Sequence, residues 1–241
     1  MTSIVKASLT RNIYEQVKWK CRAYSSTFSS VLIVQILFGL LMLGNGSGSS
    51  YRGSGSINID YEEHFYSLDM MYFISLITML LIGWLLASKA MSRENFSILT
   101  NNQTEVISSL SFLVVLCIFT FISAVSTLSI TVFIQQLRSD GMLIFPSTWI
   151  SIQSVLIFLT STILAGTVGY CARSLFDFSK VVFALVILVL FFIIRSITTV
   201  EIWPLLFGEG WLEIGGRSVL YIMILWICTI LLRRSKEVIR G

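Results

Sequence analysis

The chain has 241 residues, 55% of them hydrophobic and only 12% charged, with a formal net charge of +4. Soluble domains carry about 25% charged residues, and half that charge cannot cover one water-soluble core of this size. The composition excludes a soluble globular domain and predicts an all-α integral membrane protein, because the Val/Ile/Leu/Phe-rich runs of about 20 residues suit spanning helices.

Residues 1–25 come first. Ile4, Val5, Leu9, Ile13, Tyr14 and Val17 recur at helical spacing, with Lys6, Arg11, Lys18 and Lys20 interleaved. This pattern predicts an amphipathic helix lying along a membrane surface, the alternative being a basic tail that only sets topology. The stretch is polar and basic, with no small-residue cleavage site after a short apolar core, so no signal peptide is expected to be removed.

Six apolar segments follow, at 27–44, 68–88, 107–135, 148–171, 178–197 and 216–232, and together they predict one transmembrane domain spanning residues 1–241. The third is longer than a span needs, so its start is expected at the interface. Placing both termini on one side gathers Lys6, Arg11, Lys18, Lys20, Arg22, Lys89, Arg93, Arg173, Lys180, Arg233, Arg234, Lys236 and Arg240 there. The opposite side keeps only Arg52, Arg138, Arg195 and Arg217. Basic residues collect in cytoplasmic loops, so both termini are expected in the cytoplasm and the chain in the plasma membrane as a multi-pass protein.

The connecting segments differ from one another. Residues 44–69, "GNGSGSSYRGSGSINIDYEEHFYSLD", open as a Gly/Ser tract and read as a tolerated flexible outer loop. The sole histidine, His64, stands beside Glu62 and Glu63, too few ligands for a metal site. "SRENFSILTNNQTE", residues 92–105, reads as a short cytoplasmic helix and a break. Ser92 can cap it, Glu94 suits its first turn, and Phe96, Ile98 and Leu99 give it an apolar side. Asn102 with Glu105 three residues later can cap the next helix. The last outer loop, "TTVEIWPLLFGEGWLEIGG", is too apolar to be solvated. With Trp203, Pro204 and Trp211 it reads as short helices dipping into the outer interface.

No carboxylate, lysine or histidine falls near the centre of a span, which weighs against a secondary transporter driven by ions or protons. There is no G-x-x-x-x-G-K-[ST], so no ATP site of the P-loop kind. Neither H-E-x-x-H nor G-x-S-x-G occurs, and no catalytic, cofactor or metal residue is assigned: the chain is not expected to be an enzyme. Cys21, Cys117, Cys171 and Cys228 read as small buried hydrophobes. Ser123, Ala124, Ser126, Thr127, Ser129 and Thr131 in the third span, and Ser161, Thr162, Ala165, Gly166 and Gly169 in the fourth, read as helix-contact residues. Ala165 and Gly169 form a small-x-x-x-small pair.

An amphipathic cytoplasmic helix, six spans, both ends inside, a structured first inner loop and a broken apolar loop before the last span are similar in layout to the permease subunit of ABC-2 type (type V exporter fold) ABC transporters. The resemblance covers essentially the whole chain. It implies that the N-terminal helix is an elbow helix and that residues 92–101 carry the coupling helix docking on a separate cytoplasmic ABC ATPase. It implies too that the outer segment with Trp203, Pro204 and Trp211 is re-entrant. Glu94 and Ile98–Leu99 match the acidic residue and apolar run of the family's coupling region, and Phe96 adds to that run. "NNQTEVISS" stands where the family has a Pro-containing turn and a basic residue, with Arg93 or Glu105 as substitutes. The partners implied are the ATPase, a second permease subunit in a homo- or heterodimer, and membrane lipid, with no nucleic acid. The function implied is bacterial export of a peptide, such as an antimicrobial peptide, or another amphipathic substrate. The rival from another class is a non-transporting membrane immunity or scaffold protein that binds a partner laterally.

Overall fold

A computed structural model describes residues 9–42, 48–53, 60–65, 68–88, 102–138, 151–196 and 210–240. They form seven helices: α1 (Leu9–Ala23), α2 (Ser25–Met42), α3 (Asp69–Leu86), α4 (Asn102–Arg138), α5 (Ile152–Phe178), α6 (Lys180–Ser196) and α7 (Trp211–Arg240). The helical expectation holds for the bundle, and one short hairpin is added to it. Inside the segment read as a flexible Gly/Ser loop, β1 (Gly48–Gly53) pairs antiparallel with β2 (Asp60–Phe65), Gly48 opposite Phe65 and Gly53 opposite Asp60. Neither strand alternates apolar and polar residues, so the usual sequence signal for a hairpin is missing.

Each of the six expected apolar segments overlaps one helix, α2 to α7 in order, but only 107–135 and 216–232 lie wholly inside theirs; residues 43, 44, 148–150 and 197 lie outside the described residues. Among the described residues, four stretches are long and apolar enough to cross a membrane unaided: Asp69–Leu86, Gln103–Ile134, Ile152–Phe178 and Leu212–Leu232. A fifth crossing arises if Thr10–Ala23 and Ser25–Leu41, bent by 55° at the break between them, count as one broken span. At 17 residues α6 is shorter than the roughly 20 that a full crossing takes. Large apolar side chains remain exposed on the outer faces of these helices, among them Leu41, Phe73, Ile130, Val181, Leu185 and Leu231. Such a surface is compatible with lipid as solvent.

α4 is the hub. Its 37 residues make a rod of about 55 Å, against a hydrocarbon core of about 30 Å. The helix is therefore longer than one crossing needs, in keeping with the over-long third segment. α4 packs against α1, α2, α3, α5 and α7. Leu110, Phe112, Leu113, Leu116 and Cys117 supply its side of the core, with Val31 from α2, Met79, Ile82 and Leu86 from α3, and Tyr170 from α5. Phe28 of α2 sets its ring edge-on to Phe112 and Phe119, with centroids 5.8 and 5.0 Å apart. Tyr24, at the α1–α2 bend, stands between Trp19 and Phe112, 6.0 Å from each. These edge-on pairs hold the bend against α4.

α3 and α5 touch backbone to backbone. A Cβ on Gly83 would lie 2.0 Å from the Gly166 carbonyl oxygen, and one on Gly169 would lie 2.1 Å from the Leu80 carbonyl oxygen. Only glycine permits this approach, and it is the route by which helices pack in lipid, where no hydrophobic drive separates protein from tail. The expected small-residue contact on α5 thus exists at Gly169, whose missing Cβ permits it; Gly166 lends its carbonyl to Gly83, and Ala165 is half-buried beside it.

Candidate functional site

The buried face of α1 is polar where an amphipathic helix is normally apolar. Gln16 and Lys20, four residues apart, share that face with Ile13, Val17 and Tyr24, and both are buried, while Arg11, Tyr14, Lys18 and Arg22 point outward. Opposite them lies the N-terminal end of α4. The Lys20 ammonium, 2% exposed, donates from Nζ to Ser109 Oγ at 2.6 Å, to Ser108 Oγ at 2.8 Å and to the Glu105 main-chain carbonyl at 3.2 Å. One turn away, Gln16 Nε2 faces Thr104 Oγ1 at 3.5 Å. Ser108 Oγ also donates to the Glu105 carbonyl at 2.9 Å, which fixes the hydroxyl's direction.

An ammonium has three donors, and three of the oxygens it meets here are those of Ser108, Ser109 and the Glu105 carbonyl. A buried charge is tolerable only when its hydrogen-bonding capacity is met, so this cluster pins α1 at one register on α4. The hydroxyls at 108 and 109 exist because α4 begins in a polar run, "NQTEVISS", before its apolar stretch.

Two further polar contacts stitch the bundle lower down. Gln35, 1% exposed near the middle of α2, donates from Nε2 to Ser75 Oγ on α3 at 3.2 Å and to the Thr120 carbonyl on α4 at 3.1 Å. Ser75 Oγ in turn donates to the Met71 carbonyl at 2.6 Å, so three helices meet at one amide. One turn along, a Cβ on Gly39 would meet Thr127 Cγ2 at 2.6 Å, which sets α2 close on α4. Between α4 and α5, Cys117 Sγ lies 2.9 Å from Thr162 Oγ1. The third-span residues read as helix contacts divide by face: Ser123, Ala124, Thr127 and Thr131 are buried, whereas Ser126 and Ser129 satisfy their own helix by donating to Ile122 and Val125 carbonyls.

Of the residues singled out for coupling, Arg93, Glu94, Phe96, Ile98 and Leu99 lie outside the described residues. Glu105 is placed in the first turn of α4, 5% exposed, with its carbonyl under Lys20. Asn102 is the first described residue of α4. Trp203 and Pro204 also lie outside the described residues; Trp211 opens α7. The sequence reading did not single out Gln16, Thr104, Ser108, Ser109 or Gln35, and took Lys20 only as a surface cation. The available signal was Gln16 and Lys20 at i, i+4 within the stripe of Ile13 and Val17. Among the described residues, no group of three or more His, Cys, Asp or Glu side chains converges as a metal would require.

The fold and these junctions define a helical bundle of apolar segments compatible with a transmembrane protein, with a bent N-terminal helix locked onto its longest member. No family model, curated protein or solved structure matches the chain.

Proposed function

We propose that the chain is the membrane-spanning permease subunit of an ABC-2 type exporter. It has six spans, cytoplasmic termini and a place in the plasma membrane, pairs with a second permease subunit, and is driven by ATP hydrolysed on a separate cytoplasmic subunit. The observation that carries this reading is the lock between α1 and the start of α4. In an elbow-helix permease, the motor pushes on the loop between the second and third spans, residues 92–101 here. The first residues after that loop are those that hold Lys20. A push on the loop therefore moves α1 and the head of α4 as one body, and α2, joined to α1 at the 55° bend, must follow. Gln35 passes the displacement to α3 and α4 at mid-span, and the Gly83–Gly166 contact carries it to α5. The substrate, a peptide or another amphipathic molecule, rests on analogy with the family.

The test is co-purification of the chain with ABC ATPases of its host, followed by transport in proteoliposomes. Reversing the charges at Arg93 and Glu94 is expected to abolish ATPase recruitment and export together. Recruitment of no ATPase, with the reversed variant indistinguishable from the parent, sinks the reading. Stable capture of another membrane protein in that case favours an immunity or scaffold role.

A further inference from the structure

The corner where α5 gives way to α6 joins two cations to one aromatic ring. The Arg173 guanidinium carbon stands 5.2 Å from the Phe176 ring centroid and 5.3 Å from that of Trp84, at the end of α3. Lys180, the first residue of α6, sets Nζ 5.9 Å from the same Phe176 ring. Asp177 approaches Arg173 at 3.6 Å, beyond hydrogen-bond reach but within ion-pair distance. Among the described residues, one carboxylate stands against two cations and leaves the cluster positive, and Lys180 is exposed. The corner lies where α5 ends and α6 begins, at the ends of two apolar helices.

The surface leading away from it is wholly apolar. Val181, Leu185, Leu188 and Phe192 are all exposed by half or more, and among the described helices α6 packs its backbone on α5 alone. Among the described residues, a cationic head site thus continues directly into an exposed apolar face. The α6 N-terminus adds its own positive end beside Lys180. The matching molecule carries a phosphodiester anion at one end and acyl chains at the other.

We propose that this corner binds an anionic phospholipid, with the phosphodiester at Lys180 and Arg173 and the acyl chains along the exposed face of α6. Zwitterionic lipid gains nothing from the cations, because the repulsion of its ammonium offsets the attraction of its phosphodiester. The site holds whether or not the chain is a permease.

The test is native mass spectrometry of the full chain in neutral detergent, with phosphatidylglycerol, phosphatidylcholine of the same acyl chains, and glycerol 3-phosphate as a soluble anion. The parent is expected to retain phosphatidylglycerol about fivefold better than phosphatidylcholine, the gain typical of one cation at an anionic surface. Lys180→Gln removes most of that preference and Lys180→Arg keeps it, while retention of phosphatidylcholine is the same in all three. Equal retention of the two lipids by the parent overturns the proposal without recourse to any variant. So does an undiminished preference in Lys180→Gln, or displacement of the lipid by glycerol 3-phosphate, which would make the site one for soluble phosphates.

Discussion

Lys20 Nζ and Ser109 Oγ, 89 residues apart in sequence, lie 2.6 Å apart beneath α1. The contact belongs to a buried ammonium that also binds Ser108 and the Glu105 carbonyl. Lys20→Met removes the charge but keeps the length of the side chain, leaving two hydroxyls and a carbonyl to find other partners. Hydrogen bonds to charged groups contribute about 1.5–3 kcal/mol, and a loss of that order is expected in denaturant or thermal unfolding of the detergent-solubilised chain. Lys20→Arg should not rescue it, because a planar fork does not fit three oxygens arranged around a point. A parent-like melting curve for Lys20→Met would show that α1 is held by its aromatic contacts alone.

Gly83→Ala places a methyl 2.0 Å from the Gly166 carbonyl oxygen. The obstacle is backbone, so α3 and α5 must separate, and the expected cost is at the upper end of the 1–3 kcal/mol typical of overpacking, or more. Gly215→Ala is the control: a Cβ there meets nothing within 4 Å, and alanine favours helix by about 1 kcal/mol over glycine. The two variants should shift the unfolding midpoint in opposite directions.

At Gln35 the outcome turns on packing. Gln35→Leu loses the bonds to Ser75 and Thr120 but fills most of the same volume. Polar contacts between membrane helices average about 0.6 kcal/mol, so a destabilisation below about 1.5 kcal/mol is expected. Gln35→Ala also opens a cavity among α2, α3 and α4 and should cost about 2 kcal/mol more. Equal losses in the two would mean that the hydrogen bonds dominate.

The cysteines should separate by reactivity. Cys117 is fully buried against Thr162, whereas Cys21 is half-buried on α1, outside the apolar spans. Burial pushes the Cys21 thiol above its ordinary value. With the other three cysteines replaced by serine or alanine, Cys21 should label with N-ethylmaleimide more slowly than a free thiol at pH 7. Its rate should climb as pH rises towards that elevated pKa, since the thiolate is the nucleophile. A chain left with Cys117 alone should stay unlabelled until it is unfolded; rapid native labelling would show that the α4–α5 seam opens.

The helices were legible because hydropathy is a local property: a run of about 20 apolar residues has no low-energy alternative to a helix in lipid. The amphipathic α1 and the over-long α4 were legible for the same reason. The role of Lys20 was not, since a lysine on an amphipathic helix normally points to water, and periodicity gives a residue's direction without saying what it meets. The hairpin of residues 48–53 and 60–65 was hidden because its pairing rests on backbone hydrogen bonds between strands with no apolar alternation.

Composition and charge alone therefore determined a helical protein made for lipid, the positions of its apolar segments and the amphipathic lead-in to the first. Only the tertiary structure decided that Lys20 is buried in α4, that Gln35 joins three helices and that Gly83 meets Gly166. Each of these depends on which helices become neighbours and at what register. That choice is made by packing between segments 40 to 90 residues apart, which no local pattern of hydropathy or charge encodes.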